Sequence, residues 1–259
     1  MPKVMGFHDD LHIAGKEFSS LEVDAASFRR CEFVDLALSN SSLYYVSFEN
    51  CSLSGIELAQ TSLSRVSLFD STVTGVAQPI PVKALKKLFN CTISGVELVG
   101  ARSTHLDSLV VRGGSVSGSL SNVSFVEDKE ASQLSGTDLS DAELHMVRFV
   151  GVPMERVIVA DHVTKFIVPN WVEHAGAVSD YANAAMGKHS VESPEYRAAF
   201  HVFQQVQQDW ERFRFAHGRG NDGARGGRFI AEAVNEQLPP SVQTAVIELY
   251  RAVTGIDFS

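Results

Sequence analysis

The sequence predicts a mainly β fold of the solenoid type, followed by a small α-helical module. Three observations carry this. From Phe18 to Val73 an apolar residue recurs at every fifth position, through Val23, Phe28, Phe33, Leu38, Leu43, Phe48, Leu53, Leu58, Leu63 and Leu68. A second, mostly small series runs two residues ahead of it, including Ala26, Cys31, Ser41, Val46, Cys51, Thr61, Val66 and Ser71. After Asn170 the serine-rich fives give way to alanine, glutamine and apolar residues spaced by three and four.

A helix returns to one face every 3.6 residues and a strand every two. A strict five suits neither. It suits a chain that turns a corner every five residues and buries one large and one small side chain per side. Identical steps then stack, each touching mainly its neighbours. Four sides give coils of about 20 residues, spaced at the β-ladder distance of about 4.8 Å. Phe28, Phe48 and Leu68 then share one side, Phe33, Leu53 and Val73 the next, and Cys31 and Cys51 one inner slot. Each large apolar side chain so buried is worth roughly 1.5–3 kcal/mol.

Runs such as Ala26-Ser27-Phe28-Arg29-Arg30, Cys31-Glu32-Phe33-Val34-Asp35 and Cys51-Ser52-Leu53-Ser54-Gly55 resemble the pentapeptide-repeat family. The resemblance covers most of residues 13–168. It implies a right-handed, four-sided β-helix with the large residue at the centre of each side and the small one beside it. Some members of that family look like a DNA duplex in shape and charge, bind type II topoisomerases and protect them from inhibitors. The acidic solenoid is similar to that subgroup. The basic segment at Lys83, Lys86 and Lys87 and the helical third of the chain depart from it.

Taken in order, residues 1–12 precede the repeat. His8-Asp9-Asp10-Leu11-His12 would offer a metal two imidazoles if helical, but a capping segment is the simpler expectation. Lys16 falls in an inner slot, so a full coil is expected only from Phe18. The repeat breaks at Ala77-Gln78-Pro79-Ile80-Pro81, since proline cannot donate to a ladder. Val82 to Phe89 reads as a short amphipathic helix, making 77–90 a loop projecting from the solenoid. Cys91 and Ile93 restore the register. Between Ala101 and Ser119 the register is open, with Gly113-Gly114 and Gly118 marking corners or a bulge. Residues 126–133 form a charged break and a second loop, and a last run from Thr137 ends near Pro169.

The domains expected are thus 1–169, the β-helix, and 170–259, the helical module. Ser193-Pro194-Glu195 is a helix start: a cap, a first-turn proline and an acid near the positive end of the dipole. Tyr196, Phe200, Phe203, Val206, Trp210 and Phe213 mark one face of a long helix. A second helix is expected over Arg228–Leu238, and a third from Val242 to Val253, stopped by Gly255. The module would close the end of the solenoid, and its aromatic content leaves room for a homodimer surface.

Composition narrows the function. A net charge of −9 disfavours direct nucleic-acid binding. No run approaches the roughly 18 apolar residues of a membrane span. Met1 to Gly6 lacks the apolar core of a signal peptide, so the cytoplasm is the default compartment. Cys31, Cys51 and Cys91 all fall in inner slots, as reduced core residues rather than a disulfide framework. No catalytic, metal or cofactor constellation stands out. The loop Gly218 to Arg228, with Arg219, Arg225 and Arg228, lacks the lysine-serine or lysine-threonine ending of a phosphate loop and reads as a linker. The expectation is a non-enzymatic scaffold that binds another protein. Lys83, Lys86, Lys87, Arg219, Arg225 and Arg228 are its candidate contacts, and Phe28, Phe33, Phe48, Leu53, Leu68, Cys31 and Cys51 its core. A type II topoisomerase is the alternative partner.

Overall fold

A computed structural model describes residues 2–100, 108–126, 136–145, 147–150, 152, 154–216, 227–234 and 237–258. The described chain divides into two compact units: residues 1–147 with 157–159, and residues 148–156 with 160–259.

The first unit is a parallel β-solenoid. Phe28 pairs with Phe48, Phe48 with Leu68, Phe33 with Leu53 and Leu53 with Val73, each a shift of twenty residues. Between Phe28 and Phe48 the backbone turns at Arg30, Asp35, Asn40 and Tyr45, all with φ between 48° and 54°. That makes four corners per coil. The left-handed residue recurs at every fifth position from Asp10 to Gly75, and again at Asn90 and Gly95. Asn, Asp and Gly tolerate this conformation; other residues store about 1–3 kcal/mol of strain there. Ala25, Arg30, Tyr45 and Arg65 accept that strain because each coil holds its neighbours' corners in place.

The inner slot has its own logic. A corner leaves the next amide pointing along the axis, with no strand partner. The small residue one coil further on supplies the acceptor: the Leu21 amide donates to Ser41 Oγ at 3.0 Å, Cys31 to Cys51 Sγ at 3.4 Å and Cys51 to Ser71 Oγ at 3.0 Å. Each of these groups donates in turn to the carbonyl two residues earlier, Ser71 Oγ to Phe69 at 2.7 Å. The three cysteines are free and buried. Phe28, Phe33, Phe48, Leu68, Cys31 and Cys51 are buried, and Leu53 is half-buried. Phe28 and Phe48 stack with centroids 5.4 Å apart, and Phe33 meets both edge-on.

The solenoid starts earlier than its period suggests. Lys3–Asp9 is already a strand, paired in parallel with Glu22–Arg29, and His8 takes the place before Phe28, stacked on it at 5.0 Å. The segment is not helical. His12 instead binds Glu32 at 2.8 Å, and Asp9 and Asp10 bind Arg29 and Arg30.

Residues 77–90 correct the sequence reading most. They form no projecting helix. Ile80–Pro81 pairs with Leu98-Val99, Val82–Ala84 is one 3-10 turn, and Leu85–Phe89 is a strand between Val66–Phe69 and Val111–Arg112. Val82, Ala84, Leu85 and Leu88 are buried. Leu85 pairs with Val66 and Lys87 with Ser67, so Lys86 is the extra residue of a bulge, pushed to the surface. Gln78 lends its side-chain oxygen to the Leu58 amide, replacing the strand partner lost to the prolines.

Beyond Asn90 the open register closes at longer steps. Ile93 pairs with Val116 and Leu98 with Leu120, with an irregularity between them. Gly113, Gly114 and Gly118 absorb it at positive φ. Gly114 lies directly over the Cys91 backbone, where no Cβ would fit. Residues 101–107 and the charged break lie outside the described residues, apart from Val126.

The second unit is helical. α1 (Asp161–Thr164) leads to α2 (Trp171–Met186), which the sequence reading did not resolve, then α3 (Pro194–Ala216) and α4 (Pro240–Thr254). The Ser193 hydroxyl accepts the Tyr196 amide at 3.1 Å, and Gly255 closes α4 at φ 70°. Trp171, Val178, Val202, Val206, Val246 and Tyr250 share its core. The helix expected over Arg228–Leu238 is replaced. Arg228–Phe229 pairs antiparallel with Ile167–Val168, and Ala231–Val234 is a single 3-10 turn. No described helix is long and apolar enough to cross a membrane.

Candidate interaction faces of the solenoid

Strand alternation sends the residues on either side of each inward centre to the surface. Stacking at twenty-residue steps then gathers residues far apart in sequence into columns. On the side centred on Phe48, Leu68 and Leu88, one column runs Glu49, Phe69, Phe89, Arg112, and another Ser47, Ser67, Lys87. The corner beside them carries Tyr45 and Arg65, followed by the bulged Lys86. Arg65, Lys83, Lys86 and Arg112 are exposed. Among the described residues these four and Lys87 enter no ion pair. Aromatic rings lie between them. Phe69 and Phe89 meet edge-on at 5.6 Å, Lys87 Nζ lies 5.6 Å from the Phe89 ring, and the Arg65 guanidinium sits 4.8 Å from the Tyr45 ring. Tyr44 and Tyr45 are exposed. Glu49 and Asp70 are the acids nearby, Asp70 accepting from Asn90 at 3.0 Å.

Two sides further round, on the opposite wall, the sign reverses. Glu17 aligns with Ala37 and Glu57, and Glu97 with Ser119 and Glu143, on the side centred on Phe18, Leu38, Leu58 and Leu98. All four glutamates are exposed. Asp35 stands at the corner of the same edge, its carboxylate over Gly55. That corner stacks Gly15, Asp35, Gly55, Gly75 and Gly95, so the groove beside the acids has a backbone floor.

Each five-residue step therefore fills five places: an inner slot, an outward residue, an inward centre, a second outward residue and a left-handed corner. The first unit is a parallel β-solenoid with a five-residue step and four sides per coil. No family model matches the chain, and no curated protein matches it. Among solved structures it is similar to QnrB1, a plasmid-mediated fluoroquinolone resistance protein. The trypsin-treated form aligns at 14% identity over 59% of this chain and 79% of that one, with a TM-score of 0.32. The full-length form aligns at 14% identity over 59% and 81%, with a TM-score of 0.21.

Of the residues singled out from sequence, the solenoid brings Lys86 and Lys87 onto one face and leaves Lys83 exposed in the adjoining turn. Arg219 and Arg225 lie outside the described residues. Arg228 is buried in the helical unit, with its guanidinium 4.7 Å from the Trp171 ring and donating to the Tyr250 hydroxyl. It is a core residue rather than a surface contact. Arg65, Arg112 and Phe69 escaped the sequence reading, which placed Phe89 only on the apolar side of the expected helix. The signal was present: Lys86-Lys87-Leu88-Phe89-Asn90 keeps the five-residue phase, with Leu88 twenty after Leu68.

Titration adds little chemistry. The Arg30 guanidinium hydrogen-bonds Asp10 and holds its carboxyl below the usual range. Burial pushes the Cys51 and Cys91 thiols up, so they stay protonated and poorly nucleophilic at neutral pH. The Ser140 hydroxyl and amide hold Asp138 down. Among the described residues no group of three acids, histidines or cysteines is placed to hold a metal.

Proposed function

We propose that this β-solenoid is a non-enzymatic protein-binding scaffold with two working faces of opposite charge. The observation that carries the reading is the basic, aromatic face formed by Arg65, Lys86, Lys87, Phe89 and Arg112 on adjacent columns of a chain of net charge −9. Exposed cations without ion partners are free to pair with acids of a binding partner, and tyrosine, phenylalanine and arginine are enriched at interfaces, tyrosine and arginine at their hot spots. The stacked coils hold their backbone in place, so binding has only the side chains left to order. The test is partner recovery by K86E/K87E/R112E and by E57K/E97K, each checked for an unchanged β spectrum. One face variant should lose the partner, at a tenfold or greater loss. Equal recovery by both would sink the scaffold reading.

The acidic wall favours a second reading. Glu17, Glu57, Glu97 and Glu143 repeat at every second coil, as a row of fixed negative charges. Such a row would suit the DNA-binding surface of a type II topoisomerase, the partner implied by the family resemblance. Gyrase supercoiling with and without a fluoroquinolone tests it. Rescue by the native chain and not by E57K/E97K is expected; neither binding nor rescue at micromolar protein would eliminate it.

A further inference from the structure

The two charged faces carry a register as well as a sign. Coil by coil, the outward column beside Phe28, Phe48, Leu68 and Leu88 runs Arg29, Glu49, Phe69, Phe89, Arg112. On the opposite wall the column runs Glu17, Ala37 and Glu57, then a coil without an acid at Ala77 to Pro79, then Glu97. Both columns span four coil steps, about 19 Å. Both border the intervening side centred on Phe33 and Leu53. A neighbour displaced straight across, without rotation, therefore lays one column on the other.

At an axial offset of about half a coil, or ~2–3 Å, the columns match place by place. Arg29 meets Glu17 and Arg112 meets Glu97. Glu49, the one acid between the two arginines, meets Ala37. Lys87, 5.6 Å from the Phe89 ring, stands on the coil between Glu57 and Glu97. Sliding by one coil in either direction sets Glu49 against Glu17 or Glu57, and like charges so juxtaposed are costly. Among the described residues Glu17, Glu57 and Glu97 enter no ion pair. Charge also decides the symmetry. A two-fold pair through either wall would put like on like, whereas basic wall on acidic wall leaves each copy with one face open and does not close.

We propose that a second copy of this chain occupies each face, the column from Arg29 to Arg112 of one molecule lying on the column from Glu17 to Glu97 of the next, in an open side-by-side row. The proposal rests on the two-faced scaffold reading and names the partner.

Sedimentation equilibrium of the full chain tests it. In 0.1 M salt, where charges act over about 10 Å, the average mass should climb with concentration past that of a dimer; in 1 M salt, where they act over about 3 Å, it should return to that of the monomer. K86E/K87E/R112E and E57K/E97K should each weaken association about tenfold or more. An equimolar mixture of the two should associate again, because native acids of one then meet native bases of the other. A misfolded variant would gain nothing from mixing. Ala37→Lys leaves both variants' positions alone and should tighten association by pairing with Glu49, although it makes the wall less acidic. A chain that stays monomeric at every concentration in 0.1 M salt overturns the proposal, and leaves the scaffold reading to its own test with a different partner. A closed dimer that salt and both face variants leave intact overturns it too, as does weakening by Ala37→Lys.

Discussion

At the scale of single residues the fifth position decides most. Ala25 and Tyr45 sit in the left-handed region at φ 49° and 53°, where glycine is unstrained. Ala25→Gly should stabilise the solenoid by about 0.5–1 kcal/mol, as corner strain relieved outweighs the chain entropy glycine adds. A urea midpoint shifted upward at constant slope is the expected reading. Gly114→Ala should do the opposite and more strongly, by about 3 kcal/mol, because its Cβ would meet the Cys91 backbone, which cannot swing aside. Inward centres and small inner slots were legible from the sequence, because burial selects residue type there. The corners were less so. Arg30, Gln60 and Arg65 are no turn residues by composition, and only their phase betrays them.

Elements show where the sequence misled. Val82, Leu85, Leu88 and Phe89 satisfy helical spacing, yet the segment is a turn and a strand. Neighbouring coils offer Leu85–Phe89 a backbone ladder on both edges, and that overrides a weak local preference. The same competition removed the helix expected after Arg228. There a buried guanidinium stacked on Trp171 fixes a short strand instead. Arg228→Lys should keep the charge and lose the planar stack, costing about 1–3 kcal/mol. Tryptophan emission should report earlier unfolding of the helical unit than in the native chain.

The N-terminal strand supplies a test in acid. Asp10 has a folded pKa lowered by Arg30, so its contribution is present above the unfolded value of about 3.9. It is lost as pH falls through the lower folded value. Amides of Lys3–Asp9 should therefore exchange faster below that window, ahead of the inner coils. Asp10→Asn should flatten this dependence; the same acid sensitivity in the variant would assign it to another group.

For the whole molecule, stacking converts distance along the chain into adjacency. Arg65, Lys87 and Arg112 lie far apart in sequence yet on successive coils of one face. That face was hidden in the sequence because the break at 77–90 concealed the coil that completes it. The opposite acidic wall was hidden for the same reason, with its glutamates two coils apart. Neither is visible as a run of like charge. Both follow once the register is known.

The quarter-coil step also governs how such a chain tolerates gain or loss of sequence. Removing residues 41–60 excises one storey and should leave every later side chain facing as before. Removing 41–45 alone keeps large over large and small over small, yet swings all that follows by ninety degrees. Circular dichroism should find both deletions folded, while antibodies or partners that straddle the cut should accept the first and refuse the second. Insertions are thus quantised: a multiple of twenty lengthens the rod, any other multiple of five re-aims it, and a remainder must be hidden in glycine, as Gly113, Gly114 and Gly118 hide it here.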